Sequence, residues 1–221
     1  MPTPPILALR QLREGNDRFR LEPPAYGQSH EGATGFADLS SGQEPFAAVL
    51  GCSDSRVPVE TVFDQGPGQL FVVRVAGNIV APTQLGSLEF AVEGLGVRLI
   101  VVLGHTGCGA IAATLTMTPS SEADATANLG AITARISKAV GRSGYRESPA
   151  DDADMDEAVR LNVAASCNEL VRESEVLASL VRSGEILIVG AVFNLKTGQV
   201  EFSDEACGID VVDPGGSGGE V

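Results

Sequence analysis

Four short apolar runs enclosed by turn-forming residues constrain this chain more than any other feature: Phe46–Leu50, Leu70–Val75, Leu99–Leu103 and Ile186–Phe193. They are rich in Val and Ile and lack alternating polar residues, the pattern of strands covered on both faces. Helical stretches separate them, at about Pro58–Asp64, Thr83–Leu95 and Cys108–Met117, with a long one near Met155–Val181. In the last, Val159, Val163, Leu170, Leu177 and Leu180 approximate a single stripe. Strands alternating with helices predict an α/β fold with a mostly parallel central sheet flanked by helices. Lys196-Thr197-Gly198-Gln199 reads as a tight turn into a short last strand at Val200–Phe202.

Ahead of the first strand, Ile6, Leu9, Leu12 and Phe19 recur at helical spacing among polar residues. This predicts an N-terminal helical arm that caps its own sheet or lies across another subunit. Residues 23–45 and 119–124 read as polar connections. The chain divides into the arm and its connection (1–45), an α/β domain that carries the chemistry (46–206) and a mobile tail (207–221). The tail holds the run Pro214-Gly215-Gly216-Ser217-Gly218-Gly219, which has too few side chains to pack.

At 221 residues the chain is long enough to bury a core without disulfide staples. Fifteen Lys and Arg against 29 Asp and Glu give a formal charge of -14, which argues against nucleic acid and against an anionic membrane surface as partners. No apolar run is long enough to span a membrane, and no basic cluster leads into an apolar stretch at the start. Four cysteines in a chain of this length suit a cytoplasmic protein whose thiols bind metal or react, better than a disulfide framework.

Two motifs could do chemistry. Gly51-Cys52-Ser53-Asp54-Ser55-Arg56-Val57 follows the first strand, and Gly104-His105-Thr106-Gly107-Cys108-Gly109 follows the third. Both sit at the carboxyl ends of expected parallel strands, where open α/β sheets place ligands. If these strands are neighbours, Cys52, His105 and Cys108 converge. Two sulfurs and an imidazole suit zinc and leave a fourth tetrahedral position for water. Each cysteine taken alone reads equally as a small apolar core residue, and Cys167 and Cys207, with no motif around them, read mainly so.

Together these blocks resemble the β-class carbonic anhydrases. The likeness extends to Gly68–Asn78, to Gly15-Asn16-x2-Phe19 and to Ile188-Val189-Gly190-Ala191, covering about residues 6–203. It implies one Zn2+ per subunit on Cys52, His105 and Cys108, with Asp54 and Arg56 as the catalytic dyad. The implied activity is reversible hydration of carbon dioxide to bicarbonate and a proton, by attack of zinc-bound hydroxide. In some members of the family the aspartate matching Asp54 swings onto zinc and closes the site. Val49, where bicarbonate-regulated members have tryptophan, favours an open site, whereas Gly51 looks more like the regulated members. The resemblance also implies substrate contacts from Gln43, Phe71 and Phe90, at a pocket formed where two subunits meet, hence a homodimer or a tetramer of dimers. For both phenylalanines the alternative is plain core packing.

Three other readings share parts of this pattern. A hydrolase of carbonyl sulfide or carbon disulfide would use the same scaffold. A metal-free cysteine nucleophile of the phosphatase type needs Cys-x5-Arg, whereas Arg56 is only four residues after Cys52. A non-catalytic zinc-binding relative would need neither Asp54 nor Arg56.

Overall fold

The computed structural model describes residues 1–21, 40–117, 126–141 and 152–207. Most of the connection expected over 23–45, the loop at 119–124, His30 and the tail beyond Cys207 lie outside the described residues.

Helix α1 (Pro5–Leu21) leads to β1 (Ala47–Gly51), a short α2 (Val59–Val62), β2 (Leu70–Arg74), a 3-10 turn at Ala76–Asn78 and α3 (Pro82–Gly94). Strand β3 (Leu99–His105) follows, with helices α4 (Gly109–Thr116), α5 (Ala127–Ala139), α6 (Asp152–Glu173) and α7 (Glu175–Arg182). Strands β4 (Leu187–Phe193) and β5 (Val200–Ala206) complete the fold. The sheet order is β2-β1-β3-β4-β5, parallel except for the antiparallel β4–β5 pair.

The apolar strands predicted from sequence are those of the sheet, and side-chain alternation splits the core in two. Ala48, Leu50, Ile100, Val102 and Ile188 pack with Leu88 of α3, Leu170 of α6 and Leu177 of α7. Ala47, Val49, Leu99, Val101 and Leu103 pack on the other side with Ala8 and Leu12 of α1 and Val59 and Val62 of α2. With both faces covered, no strand needs a polar row.

Topology positions the site. The chain leaves β1 towards β2 on one side, and leaves β3 towards β4 on the other. β1 and β3 are hydrogen-bonded neighbours, so their carboxyl ends flank the switch point where an open α/β sheet leaves a crevice.

Three details differ from the sequence reading. The arm buries Ala8, Leu12, Gly15 and Asn16, whereas Ile6 is 61% exposed. Asn16 decides this face: its side chain donates to Val62 O (3.1 Å) and Gly198 O (2.9 Å) and accepts from Val200 N (2.8 Å). The long helix predicted over 155–181 is two helices, because Ser174 is extended and its hydroxyl accepts from Leu177 N, capping α7. Helix α5 was not expected; Thr126 caps it, and Ile132, Ile136 and Val140 form its stripe at four-residue spacing.

Candidate metal centre

Cys52 is the first residue beyond β1, and the backbone there is held from β2. Ser53 N donates to Val75 O, and Val75 N to Gly51 O. Arg74, the last residue of β2, reaches across with Nε to Cys52 O (2.9 Å) and an Nη2 donor to Asp54 O (2.6 Å). Arg74 lies within the Gly68–Asn78 segment, to which the sequence assigns no individual role. The pairing of Gly51 with Arg74 in the register places it opposite the Cys52 turn. Gly77, at φ +69° in the 3-10 turn, directs its N–H to Cys52 Sγ at 3.3 Å. The turn is braced from α6, where buried Asn162 donates to Gly77 O and buried Ser166 to Asn78 O.

His105 ends β3 and is fully buried. Its Nδ1 lies 3.0 Å from Thr106 O, a contact that requires a proton on Nδ1 and leaves the Nε2 lone pair free. Thr106 is fixed in turn, its N donating to Phe193 O and its hydroxyl accepting from Leu195 N. Gly107, at φ +63°, reverses the chain so that Cys108, the residue capping α4, turns back to the same spot.

The structure brings Cys52, His105 and Cys108 together, all buried, with their ligand atoms within 4.8 Å of one another. No other such group of three His, Cys, Asp or Glu occurs among the described residues. The two sulfurs are 4.0 Å apart. A tetrahedral ion with ligands at about 2.0–2.3 Å needs donor separations of about 3.6–3.8 Å, so the sulfurs have to close by only about 0.2 Å and the widest pair of donors by about 1 Å. Nε2 of His105 is buried without a hydrogen-bond partner, an arrangement that costs stability unless a further group completes it. The donor set therefore fits a zinc-like ion.

The thiols share their ionisation. The hydrogen bond between the two sulfurs outweighs the opposing effect of burial and, with the Gly77 amide, brings Cys52 down to about 4. The Cys52 anion and burial push Cys108 well above the usual thiol range. A cation bound between the sulfurs would draw off the remaining thiol proton.

Asp54 stands beside this cluster, with Oδ2 3.8 Å from His105 Nε2. Both its oxygens are taken by Arg56: Oδ1 accepts from Arg56 N and Nε (2.9 Å each), Oδ2 from Nη2 (2.7 Å). The guanidinium holds the carboxyl well below the usual carboxylate range. The same Nη2 donates to Gly107 O, joining the two motif loops. Gln43 is exposed on the approach to β1. Phe71 of β2 is half-buried against the core, and its ring lies 6.2 Å from that of Phe90 on α3. Phe90 is 54% exposed, so plain core packing does not account for it.

Residues 47–200 match the carbonic anhydrase family. Carbonic anhydrase 2 of Mycobacterium tuberculosis is 36% identical over 208 residues, covering 91% of this chain and 94% of that one. The structure of the Coccomyxa β-carbonic anhydrase in complex with acetazolamide has 26% identity and a TM-score of 0.64, covering 89% and 84% of the two chains. A structure from a study of two tetrameric β-carbonic anhydrases of Sordaria macrospora, 22% identical over 91% of this chain and 97% of its own, shares the fold with a TM-score of 0.66.

Proposed function

This chain belongs to the β-carbonic anhydrase family, and from that premise we propose that it hydrates carbon dioxide reversibly to bicarbonate and a proton, with zinc held by Cys52, His105 and Cys108. The observation that carries the reading is the meeting of two cysteine sulfurs with the unpartnered Nε2 of a buried histidine, beside a carboxylate already committed to an arginine. Bound there, zinc supplies Lewis acidity that makes water nucleophilic near neutral pH.

The chain's own residues do the rest. Arg56 keeps Asp54 ionised and fixes its orientation through three hydrogen bonds. Asp54 Oδ2 faces the cluster and accepts a hydrogen bond from the attacking water, so that the remaining lone pair is aimed at the carbon atom. Asp54 is not within ligand distance of all three donors and is spoken for by Arg56, which favours an open site over the aspartate-closed one. Arg74 holds the carbonyls of Cys52 and Asp54 and thereby sets the ligand and the carboxylate in one frame.

Carbon dioxide has no dipole, and an apolar wall from Phe71 and Phe90 with Gln43 as the polar contact suits it. Phe90, together with Ile6 and Leu7 of α1, leaves apolar surface open in a single chain. These surfaces support a pocket completed by a second copy, in a homodimer or a tetramer of dimers. A cytoplasmic location is part of the same reading; the described cysteines are free, and no helix among the described residues is long and apolar enough to cross a membrane.

Stopped-flow hydration with a pH indicator tests the proposal. Zinc-loaded protein is expected to consume carbon dioxide well above the buffer rate, and Cys52→Ala, His105→Ala or Cys108→Ala to lose metal and rate together. No rate above buffer, or turnover of carbonyl sulfide alone, overturns it.

A further inference from the structure

Two cysteines that the metal reading leaves unused meet elsewhere in the fold. Cys167, on the inner face of α6, is fully buried. Cys207, directly after β5, is half-buried; its N–H donates to Ile188 O (2.9 Å), which sets its side chain against the apolar cluster that contains Cys167. Gly190 of β4 makes room for Val163, Ser203 and Cys167. A Cβ at Gly190 would lie 3.6 Å from Cys167 Sγ. Cys207 is bonded to Ile188 and Cys167 lies over Gly190, two residues further along the same face of β4, so the two thiols face one another across the same patch of the core. Cys52 and Cys108 belong to a different cluster, so this pair is independent of the metal centre.

We propose that Cys167 and Cys207 form a thiol modification site that closes to a reversible disulfide on reaction with a hydroperoxide, tying the end of β5 to α6. The two sulfurs are unequal. Cys207 is reachable from solvent and its thiol is pulled down by the neighbouring Cys167, against the effect of burial; Cys167 is pushed up by Cys207 and by burial. Cys207 sulfur therefore attacks one peroxide oxygen, the O–O bond breaks, and Cys207 becomes a sulfenic acid with release of the first water (from hydrogen peroxide). Cys167 sulfur then attacks Cys207 sulfur, expelling the hydroxyl as the second water. In sum, two thiols and one hydrogen peroxide give one disulfide and two waters, two electrons passing from sulfur to oxygen.

Cys167 adjoins Ser166, which with Asn162 braces the turn that donates to Cys52. The crosslink thus pins the bracing helix to the sheet and closes a loop of about 40 residues, enough to raise the unfolding midpoint by about 8–16 °C.

Zinc-loaded full-length protein treated with hydrogen peroxide tests this. An intact mass lower by about 2 Da, a peptide map linking Cys167 to Cys207, reversal by a dithiol reductant and the higher midpoint are expected. Cys207→Ser and, separately, Cys167→Ala, which keeps the buried position apolar, should each abolish the crosslink and the shift. Oxidation of Cys207 to sulfinic acid without a crosslink, a link confined to Cys52 and Cys108, or a Cys167–Cys207 link that leaves the midpoint unchanged overturns the proposal.

Discussion

Gly77→Ala tests how the fold reaches the metal centre. Two costs can be read from the structure. At φ +69° an alanine sits in the left-handed region, which costs about 1–2 kcal/mol. Its Cβ would also lie 2.7 Å from Ile136 Cδ1 and 3.4 Å from Ala110 Cβ. Ile136 is fully buried between α5 and the turn, so its displacement adds about 1–3 kcal/mol. The sum is about 2–5 kcal/mol. Gly107→Ala separates the two costs: its φ is +63°, but nothing lies within 4 Å of the added Cβ, so only the backbone cost of about 1–2 kcal/mol applies. Urea unfolding of metal-free protein measures both. A shift of the Gly77 N–H away from Cys52 Sγ should also weaken metal binding about 10–100-fold, read by competition with a chelator. Equal stability losses for the two variants, or a Gly77→Ala protein with unchanged metal affinity, refute the reasoning.

Other outcomes are expected elsewhere in the site and the fold. Arg56→Ala should keep its metal while turnover falls about 10²–10³-fold, measured by stopped flow and metal analysis, since Asp54 loses its orienting partner. The folded-state pKa of Asp54 lies below its unfolded value of 3.8, so the stability that Arg56 confers is complete above that pH. The deficit of the variant in acid titration should therefore shrink as pH falls towards the depressed value. Arg74→Met keeps the aliphatic stem but frees the carbonyls of Cys52 and Asp54; about 10–100-fold lower turnover with metal retained is expected, and full turnover would show that the clamp is idle. Asn16→Ala leaves two acceptors and one donor unpaired in a buried joint and should cost about 2–4 kcal/mol in urea unfolding; a loss below about 0.5 kcal/mol contradicts the role of Asn16 in seating α1.

The sheet was legible in the sequence because Val- and Ile-rich runs such as Leu99–Leu103 have no polar alternation to mislead the eye. The convergence of Cys52, His105 and Cys108 was legible because both motifs stand at the carboxyl ends of strands, and these ends in a parallel sheet share an edge. What escaped depended on partners distant in sequence. Arg74 acts on carbonyls 20 and 22 residues away, and no side-chain pattern reports a carbonyl acceptor. The seating of α1 is fixed by Asn16, whose partners lie up to 184 residues along the chain; of the expected stripe Leu9, Leu12 and Phe19 do pack on the core and only Ile6 points outward. Cys167 and Cys207 looked like isolated core residues because their meeting depends on β5 returning antiparallel beside β4. The break at Ser174 and the cap of α5 at Thr126 were written in the sequence as capping residues, but helical periodicity hid the first and a polar flank the second.

The central claim is that the carboxyl ends of β1 and β3 together hold one metal ion with Asp54 left on Arg56. A crystal structure of the zinc-loaded protein near pH 8, with anomalous scattering to place the metal, tests it most directly. The account predicts one zinc per chain at about 2.3 Å from the sulfurs of Cys52 and Cys108 and about 2.0–2.1 Å from His105 Nε2, while the Asp54 carboxylate keeps its paired contact with Arg56. Zinc bound elsewhere, a missing cysteine ligand, or the Asp54 carboxylate on the metal at that pH would contradict it.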